Sequence, residues 1–298
     1  MIEYFKTKNY ELQQLKNFEK GCWINAISPS PEEIDSLCNK FKIDKNNIMS
    51  ALDSDEIPRV EFIGKEIYII LKTISPDTRK LNSVLILLSR NFILTLSPSR
   101  PQFVKQIISR KKEFNTSKKI KCILMMFYFI NKGFEEFTLN TVKAVNKEKA
   151  NIRKLTDRQI NNLLEQESIL NDLVASYYYT NLVYEKIIKN AKFPSREKEE
   201  IRDLAIEAQQ GFNLCRASLK TISNIRNTLV ILASNKLNKI ITLLTVFTIM
   251  ISIPAAVSSI YGMNILLPMQ NNPKAFSYII AFIVALWAVF IVYLKRIL

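Results

Sequence analysis

Residues 258–276, SSIYGMNILLPMQNNPKAF, form a short polar stretch between two long apolar segments. Neither the segment before it, IITLLTVFTIMISIPAAVSSI (240–260), nor the one after it, AFSYIIAFIVALWAVFIVYL (275–294), contains a charged residue. As an α-helix each would be about 30 Å long, the thickness of the hydrocarbon core of a bilayer. Buried core helices are the alternative, but two such segments in succession favour two transmembrane helices joined by an external loop.

Basic residues around these segments predict their orientation. Lys236 and Lys239 precede the first segment. Lys295 and Arg296 follow the second, and the loop contains only Lys274. Because basic residues favour the cytoplasmic side, we expect both termini in the cytoplasm and a multi-pass location in the cell (inner) membrane. The N-terminal stretch MIEYFKTKNYELQQLK has no apolar signal-peptide core, so the N-terminal part should stay in the cytoplasm.

The chain is basic, with 42 Lys and Arg residues against 27 Asp and Glu residues and a formal net charge of +15. Its densest basic patch is SRKKEFNTSKKIK at 109–121. A nucleic-acid interface would place such a patch beside a recognisable binding motif. None lies nearby, so we interpret the patch as a solvated surface and expect no nucleic-acid partner.

Histidine and cysteine usage excludes several kinds of chemistry. The chain has no histidine, so Ser-His and Cys-His nucleophile pairs and imidazole metal sites are excluded. The four cysteines are scattered without CxxC spacing, which is typical of reduced cytoplasmic thiols. We therefore expect neither an enzyme nor a cofactor. Any metal ion would be met mainly by oxygen, which suits hard cations such as Mg²⁺.

The N-terminal part predicts an α+β domain, an antiparallel sheet with flanking helices. CWINAI (22–27) is typical of a short strand. Ser30 and Glu33 form the capping box of a helix that starts at Pro31. Apolar runs on both sides of residues 64–65 and 90–91 indicate two hairpins, which gives four antiparallel strands.

A long helix is predicted after the break at Pro194. From Ser195 nothing stops a helix before Pro254, and only Gly211 weakens it. If it continued to Ile260 it would measure about 100 Å, much longer than a globular domain needs. We expect a stalk that becomes the first membrane span, with a simple coiled-coil stalk as the alternative.

Polar residues recur every seven positions along the end of this helix: Asn238, Thr245, Ser252 and Ser259, with Thr242 one turn after the first. A seven-residue repeat keeps one face of a helix in register, and polar groups facing lipid are unfavourable. The stripe should therefore face protein or water, and helix packing and pore lining are both open. Two spans cannot enclose a pore, so a pore would need several subunits.

Tyr261-Gly262-Met263-Asn264 stands at the outer end of the first apolar segment. A Gly-Met-Asn tripeptide in this place resembles the signature of the CorA family of divalent-cation transporters. The whole stretch SNKLNKIITLLTVFTIMISIPAAVSSIYGMN (234–264) resembles the family's pore helix. WINAISPSPEEIDSLCNKFKID and IPRVEFIGKEIYIILKT resemble its N-terminal domain, so the likeness covers nearly the whole chain.

The resemblance implies a funnel-shaped homopentamer in which the first span lines a pore and the second packs outside it. Gly262, Met263 and Asn264 would form a selectivity filter, where a ring of Asn264 side chains meets a hydrated cation. The implied pore-lining residues are Asn238, Leu244, Thr245, Ser252 and Ser259, with Leu244 in a hydrophobic constriction. The predicted domains are 1–130 (cytoplasmic α/β domain), 131–238 (helical stalk), 239–260 (first span), 261–274 (loop) and 275–298 (second span and basic tail).

The chain departs from the family pattern in two places. The loop ILLPMQNNPKAF lacks the glutamate that many relatives carry, so electrostatic attraction of cations there should be weaker. Asp203 matches the stalk aspartate of the family's cytoplasmic metal-sensing site, but its partner position falls at Ser50. We predict Asp53 as the substitute for a regulatory Mg²⁺ site, with Asp55 or Glu56 as alternatives.

The sequence thus predicts a passive channel for Mg²⁺ uptake that also admits Co²⁺ or Ni²⁺. A zinc transporter of the same superfamily is an alternative, because the tripeptide is shared. A membrane-anchored coiled-coil tether is an alternative from another class. Such a tether would need no Asn238 or Ser252 facing inward.

Overall fold

The computed structural model describes residues 1–53, 55–75, 80–150, 152, 155–190, 193–269 and 271–297. The chain divides into two compact units, Met1–Asn224 and Ile225–Leu298. All of the β-structure in the described residues lies in the first unit.

Seven strands form one sheet in the first unit: β1 (Ile2–Lys8), β2 (Glu11–Leu15), β3 (Trp23–Ile27), β4 (Arg59–Ile63), β5 (Glu66–Ile74), β6 (Leu81–Leu88) and β7 (Ile93–Ser97). Their order across the sheet is β2-β1-β3-β7-β6-β5-β4. The α+β class is confirmed, and the four predicted antiparallel strands are β4 to β7. The expectation of a wholly antiparallel sheet is wrong, because β3 and β7 pair in parallel.

The parallel pair lies at the centre of the sheet, where both faces are covered. Four of the five residues of β3 and all five of β7 are buried, the pattern of strands packed on both sides. Trp23 lies opposite Ile93 in this pair, and its indole N–H donates to the Thr95 hydroxyl at 2.8 Å. A long connection through helices and three strands separates β3 from β7, which permits the parallel pairing.

Strands β1 and β2 were not predicted. An inward position of β1 is occupied by Glu3, which is buried and interrupts the apolar alternation. Its carboxylate accepts hydrogen bonds from Asn25 at 2.9 Å and from Arg100 at 2.7 Å, so the buried charge is paired. The turn that follows uses left-handed backbone at Asn9 and Tyr10, with φ of 51° and 63°, as a type I′ hairpin requires.

Helices cover both faces of the sheet. On one face lie α1 (Pro31–Phe41) and α2 (Lys45–Leu52), whose buried apolar residues join the sheet in one core cluster. The predicted capping box of α1 is confirmed: the Ser30 hydroxyl accepts from the Glu33 N–H at 3.2 Å, and the Glu33 carboxylate accepts from the Ser30 N–H at 3.0 Å. Beyond the strands follow α3 (Gln102–Ser109), α4 (Lys119–Ala150) and α5 (Asp157–Lys189), and α4 and α5 both contact β5.

Buried polar contacts connect these helices to the start of α6 (Ser195–Tyr261). The Asn131 side chain donates to the Leu204 carbonyl and accepts from the Tyr184 hydroxyl, both at 2.9 Å. Burial raises the pKa of Tyr184 well above its ordinary value, so this phenol remains a neutral donor. The bonds fix the position of this part of α6 relative to α4 and α5.

Helix α6 is continuous over 67 residues, about 100 Å, which confirms the predicted long helix from Ser195. It begins in the first unit and ends in the second. The second unit also contains α7 (Ala275–Ile297). Both helices contain a segment long and apolar enough to cross a membrane. The backbone of Lys295 and Arg296 belongs to α7, whereas their side chains lie outside the described part of the chain.

Candidate pore-lining site

The Gly-Met-Asn tripeptide forms the turn at the end of α6. The Gly262 N–H donates to the Ser258 carbonyl at 3.0 Å, and the Met263 N–H donates to the Ile260 carbonyl at 3.2 Å. A Cβ at position 262 would lie 3.2 Å from the Ser258 oxygen, so the backbone is close-packed where the helix ends. Asn264 follows this turn and is exposed in the single chain.

The loop is fixed at both ends. The Tyr261 hydroxyl reaches the Pro268 carbonyl at 3.4 Å, near the limit of a hydrogen bond. At the other end the Asn272 side chain accepts from the Lys274 N–H at 2.9 Å, which precedes the first turn of α7. These two hydrogen bonds lie near the two ends of the loop.

The predicted polar stripe lies on one side of α6. Its four members are exposed in the single chain. A seven-residue repeat drifts only about 20° per heptad on an α-helix, so the stripe turns by about 60° between its first and last members. The structure therefore places Asn238, Thr245, Ser252 and Ser259 on one broad face, and Leu244, 58% exposed, beside Thr245.

Two hydroxyl groups of the stripe, those of Thr245 and Ser252, direct their protons into the helix. Thr245 donates to the Ile241 carbonyl at 2.9 Å, and Ser252 donates to the Ile249 carbonyl at 3.3 Å. Each hydroxyl oxygen therefore keeps lone pairs that point outward as hydrogen-bond acceptors. Such a surface suits the water molecules around a cation, whose protons point away from the ion.

Thr248 belongs to the same surface and was not predicted. It is exposed, and its hydroxyl donates to the Leu244 carbonyl at 2.9 Å, the arrangement seen at Thr245. It lies outside the seven-residue repeat, which is why the repeat alone did not identify it. Its spacing of three residues from Thr245 is the signal that would have indicated a shared helix face.

Helix α7 packs against a different side of α6. Among described residues 240–292, the buried side chains are Val246 and Ile283, one on each helix. The Trp287 indole N–H donates to the Met250 carbonyl at 3.0 Å. Val246 and Met250 lie one turn apart, about 100° and about 140° around the helix from Thr245. The second helix therefore leaves the polar stripe uncovered.

The two predicted regulatory aspartates are not brought into a metal site within one chain. Asp203 is exposed on α6, and Asp53 is exposed at the C-terminal end of α2. The Asp53 carboxylate accepts from the Asp55 N–H at 2.9 Å. In the parts of the chain that the structure describes, no group of three or more Asp, Glu, Cys or His side chains is arranged to hold a metal ion.

A buried lysine also makes the surroundings of Asp53 unfavourable for a bound cation. Lys72 is only 8% exposed and donates to the Ser83 hydroxyl at 3.1 Å, and that hydroxyl donates to the Asp53 carbonyl at 2.7 Å. Burial lowers the pKa of Lys72, while the nearby carboxylates of Asp55 and Asp53 oppose the decrease. Lys72 interacts with these carboxylates, and within the described residues they belong to no cluster of three or more acidic side chains, so they do not fit a bound Mg²⁺ within one chain.

These features define a class of membrane protein with two apolar helices, the first of which has an uncovered polar face leading to a Gly-Met-Asn turn. The chain belongs to the CorA family: the family model described as CorA-like Mg²⁺ transporter protein matches residues 18–296. The resemblance noted in the sequence is confirmed. The protein is thus a divalent-cation transporter in a family of membrane proteins. The alternative of a membrane-anchored coiled-coil tether does not fit this family.

The chain is similar in sequence to a known transport protein and in fold to several solved structures. The cobalt/magnesium transport protein CorA of Methanocaldococcus jannaschii is 22% identical over 294 residues, which cover 92% of this chain and 90% of the relative. The complete structure of the CorA magnesium transporter from the same organism matches with a TM-score of 0.86 at 19% identity, over 99% of this chain and 98% of the other. The ZntB cytoplasmic domain from Vibrio parahaemolyticus matches with a TM-score of 0.66 at 9% identity, over 78% of this chain and 98% of that domain.

Proposed function

We propose that the chain assembles as a homopentamer whose α6 helices surround a passive channel for Mg²⁺ uptake. The observation that carries this proposal is the uncovered polar stripe of α6, whose outward acceptor oxygens lie on the helix that ends in the Gly-Met-Asn turn. In a single chain Thr245, Ser252 and Ser259 of this stripe would lie in lipid, where polar groups are unfavourable. Five copies around one axis would turn the stripe toward water instead.

Selection at the outer mouth is assigned to a ring of Asn264 side chains, with Gly262 and Met263 forming the turn that presents them. Mg²⁺ loses its water reluctantly, so neutral amide oxygens bind its hydration shell without removing it. The loop has no acid, and the C-terminal ends of the α6 helices supply the missing negative potential. Each helix end carries roughly half a negative elementary charge on its last carbonyl groups.

Transport in this proposal is driven by voltage. A divalent ion gains about 4 to 5 kcal/mol per 100 mV of inside-negative potential, because each elementary charge contributes about 2.3 kcal/mol. Both termini then lie in the cytoplasm, and the loop faces the outside of the cell (inner) membrane. Leu244 forms the hydrophobic constriction, and the acceptor oxygens of Thr245 and Ser252 contact the hydrated ion between the outer mouth and this constriction.

The test is flux into liposomes that contain only this protein, with Mg²⁺, Co²⁺, Ni²⁺ and Zn²⁺ measured separately at a set voltage. The variant Asn264→Ala should lose more than nine tenths of the Mg²⁺ flux. Asn271→Ala is the matched control, because it removes another exposed asparagine of the same loop and should conduct normally. Crosslinking in detergent should trap five subunits in both variants.

Two outcomes would contradict the proposal. Normal Mg²⁺ flux in Asn264→Ala would refute the role of the asparagine ring, and a stable crosslinked dimer would refute the pore geometry. Flux of Zn²⁺ without Mg²⁺ would instead identify a zinc transporter of the same superfamily.

A further inference from the structure

Pro254 lies inside α6 and removes one hydrogen bond from it. In an α-helix the N–H of residue 254 would donate to the carbonyl of residue 250, but proline has no N–H. The proline ring also crowds that carbonyl. In the hydrocarbon core of a bilayer there is no water to pair with the Met250 oxygen, so a substitute donor is needed.

Trp287 supplies this donor from the other helix. Its indole N–H lies 3.0 Å from the Met250 oxygen, an ordinary hydrogen-bond distance. Tryptophan has a single donor, so the bond satisfies the indole as well as the carbonyl. The bond lies on the side of α6 that packs against α7, because Met250 is one turn after the buried Val246.

We propose that Trp287 is a positioning residue for the pore-lining helix, and this inference rests on the proposed function. A helix with a missing backbone bond can bend at that point. Ser252 lies between Met250 and Pro254, so the bend falls within the polar stripe. By replacing the absent amide donor, Trp287 holds the stripe in one conformation and couples the second span to the first.

The proposal predicts a coupling between two substitutions. Trp287→Phe removes the donor, and Mg²⁺ flux in liposomes should fall about fivefold, which corresponds to losing a hydrogen bond worth about 1 kcal/mol. Pro254→Ala restores an N–H at position 254, so the Met250 oxygen regains its helical partner. In the Pro254→Ala background, Trp287→Phe should change flux by less than twofold, since its donor is no longer needed.

A second substitution separates the donor from the size of the ring. A tryptophan analogue in which sulfur replaces the indole N–H keeps the bicyclic shape and removes only the donor. At position 287 it should reproduce the effect of Trp287→Phe. If the analogue conducts normally while phenylalanine does not, Trp287 acts by packing and the proposal is overturned.

A spectroscopic measurement tests the bond independently of transport. In the detergent-solubilised protein with ¹⁵N-labelled tryptophan, the indole resonance of Trp287 is identified by its loss in Trp287→Phe. It should exchange slowly with solvent, and it should shift in Pro254→Ala, where the carbonyl is shared with a backbone N–H. An unchanged resonance in Pro254→Ala, or equal flux losses in both backgrounds, would overturn the inference. If the wild type conducts no divalent cation but the resonance shifts, the channel proposal fails and the Trp287 bond stands.

Discussion

Replacing Gly211 by alanine tests how closely α6 packs in the first unit. Gly211 is helical, and an added Cβ would lie 2.3 Å from the Cζ atom of the Tyr177 ring. The ring cannot easily move away, because it is 4% exposed and its hydroxyl is hydrogen-bonded to the Thr138 hydroxyl at 3.1 Å. In the sequence this glycine looks only like a weak point of a long helix, whereas in the structure it makes room for Tyr177.

The size of the effect follows from three contributions. Alanine is favoured over glycine inside a helix by about 1 kcal/mol. Against this, ordinary contact begins at 3.4 Å, so the ring must move by about 1 Å, and overpacking of this kind costs about 1–3 kcal/mol. Moving the phenol also breaks its bond to Thr138, which costs about 1 kcal/mol more. We therefore expect Gly211→Ala to lower the free energy of unfolding by about 1–3 kcal/mol.

The assay is urea unfolding of the full chain in detergent, followed by circular dichroism. The midpoint for Gly211→Ala should fall by about 1 M, given the usual dependence of stability on urea. Gly133→Ala is the matched control: Gly133 lies in α4, and its added Cβ would meet no atom within 4 Å. This control should stabilise the protein by up to about 1 kcal/mol. If Gly211→Ala were as stable as Gly133→Ala, the packing argument would be refuted.

Two further predictions concern the cytoplasmic part. Asp203→Asn should make flux harder to shut off by high internal Mg²⁺, measured as flux against Mg²⁺ concentration on the cytoplasmic side; an unchanged response would mean that Asp203 only solvates its helix. The second concerns the thiols, since burial raises the pKa of Cys122 to about 12 and that of Cys215 to about 11. Cys22 is also buried and has a raised pKa. Because the thiolate is the reactive form, a thiol reagent at pH 8 should modify at most Cys38 in the folded chain. Modification of more than one thiol per folded chain would contradict the described burial.

Local signals in the sequence predicted local structure well. The capping box at Ser30 and Glu33 depends on residues three positions apart, and the structure contains both of its hydrogen bonds. The length of α6 followed from the absence of a helix-breaking residue between Ser195 and Pro254. Features of this kind can be predicted because the interacting groups are neighbours in the chain.

Features that depend on distant residues were not predictable in this way. In the sequence Glu3 looks like a surface residue, whereas in the fold it is buried and paired with Arg100. A charged residue at an inward position interrupts the alternation of apolar and polar residues in β1, so the strand was not predicted. The bond from Trp287 to the Met250 carbonyl joins residues of two helices that the sequence predicts separately. The roles of Asn238, Asn264 and the rest of the polar stripe remain predictions, because a pore would be made by several chains.

Because the hydroxyl protons of α6 are directed into the helix, they affect whether cations or anions could pass through a pore lined by this helix. An anion such as chloride is stabilised by N–H and O–H donors, and the donors of Thr242, Thr245, Thr248 and Ser252 are already used by backbone carbonyls. A passage lined by these oxygens would repel anions without containing a single carboxylate. Valence discrimination would then be a property of how threonine and serine bond to their own helix, and valine at these positions should weaken it even though no charge is changed.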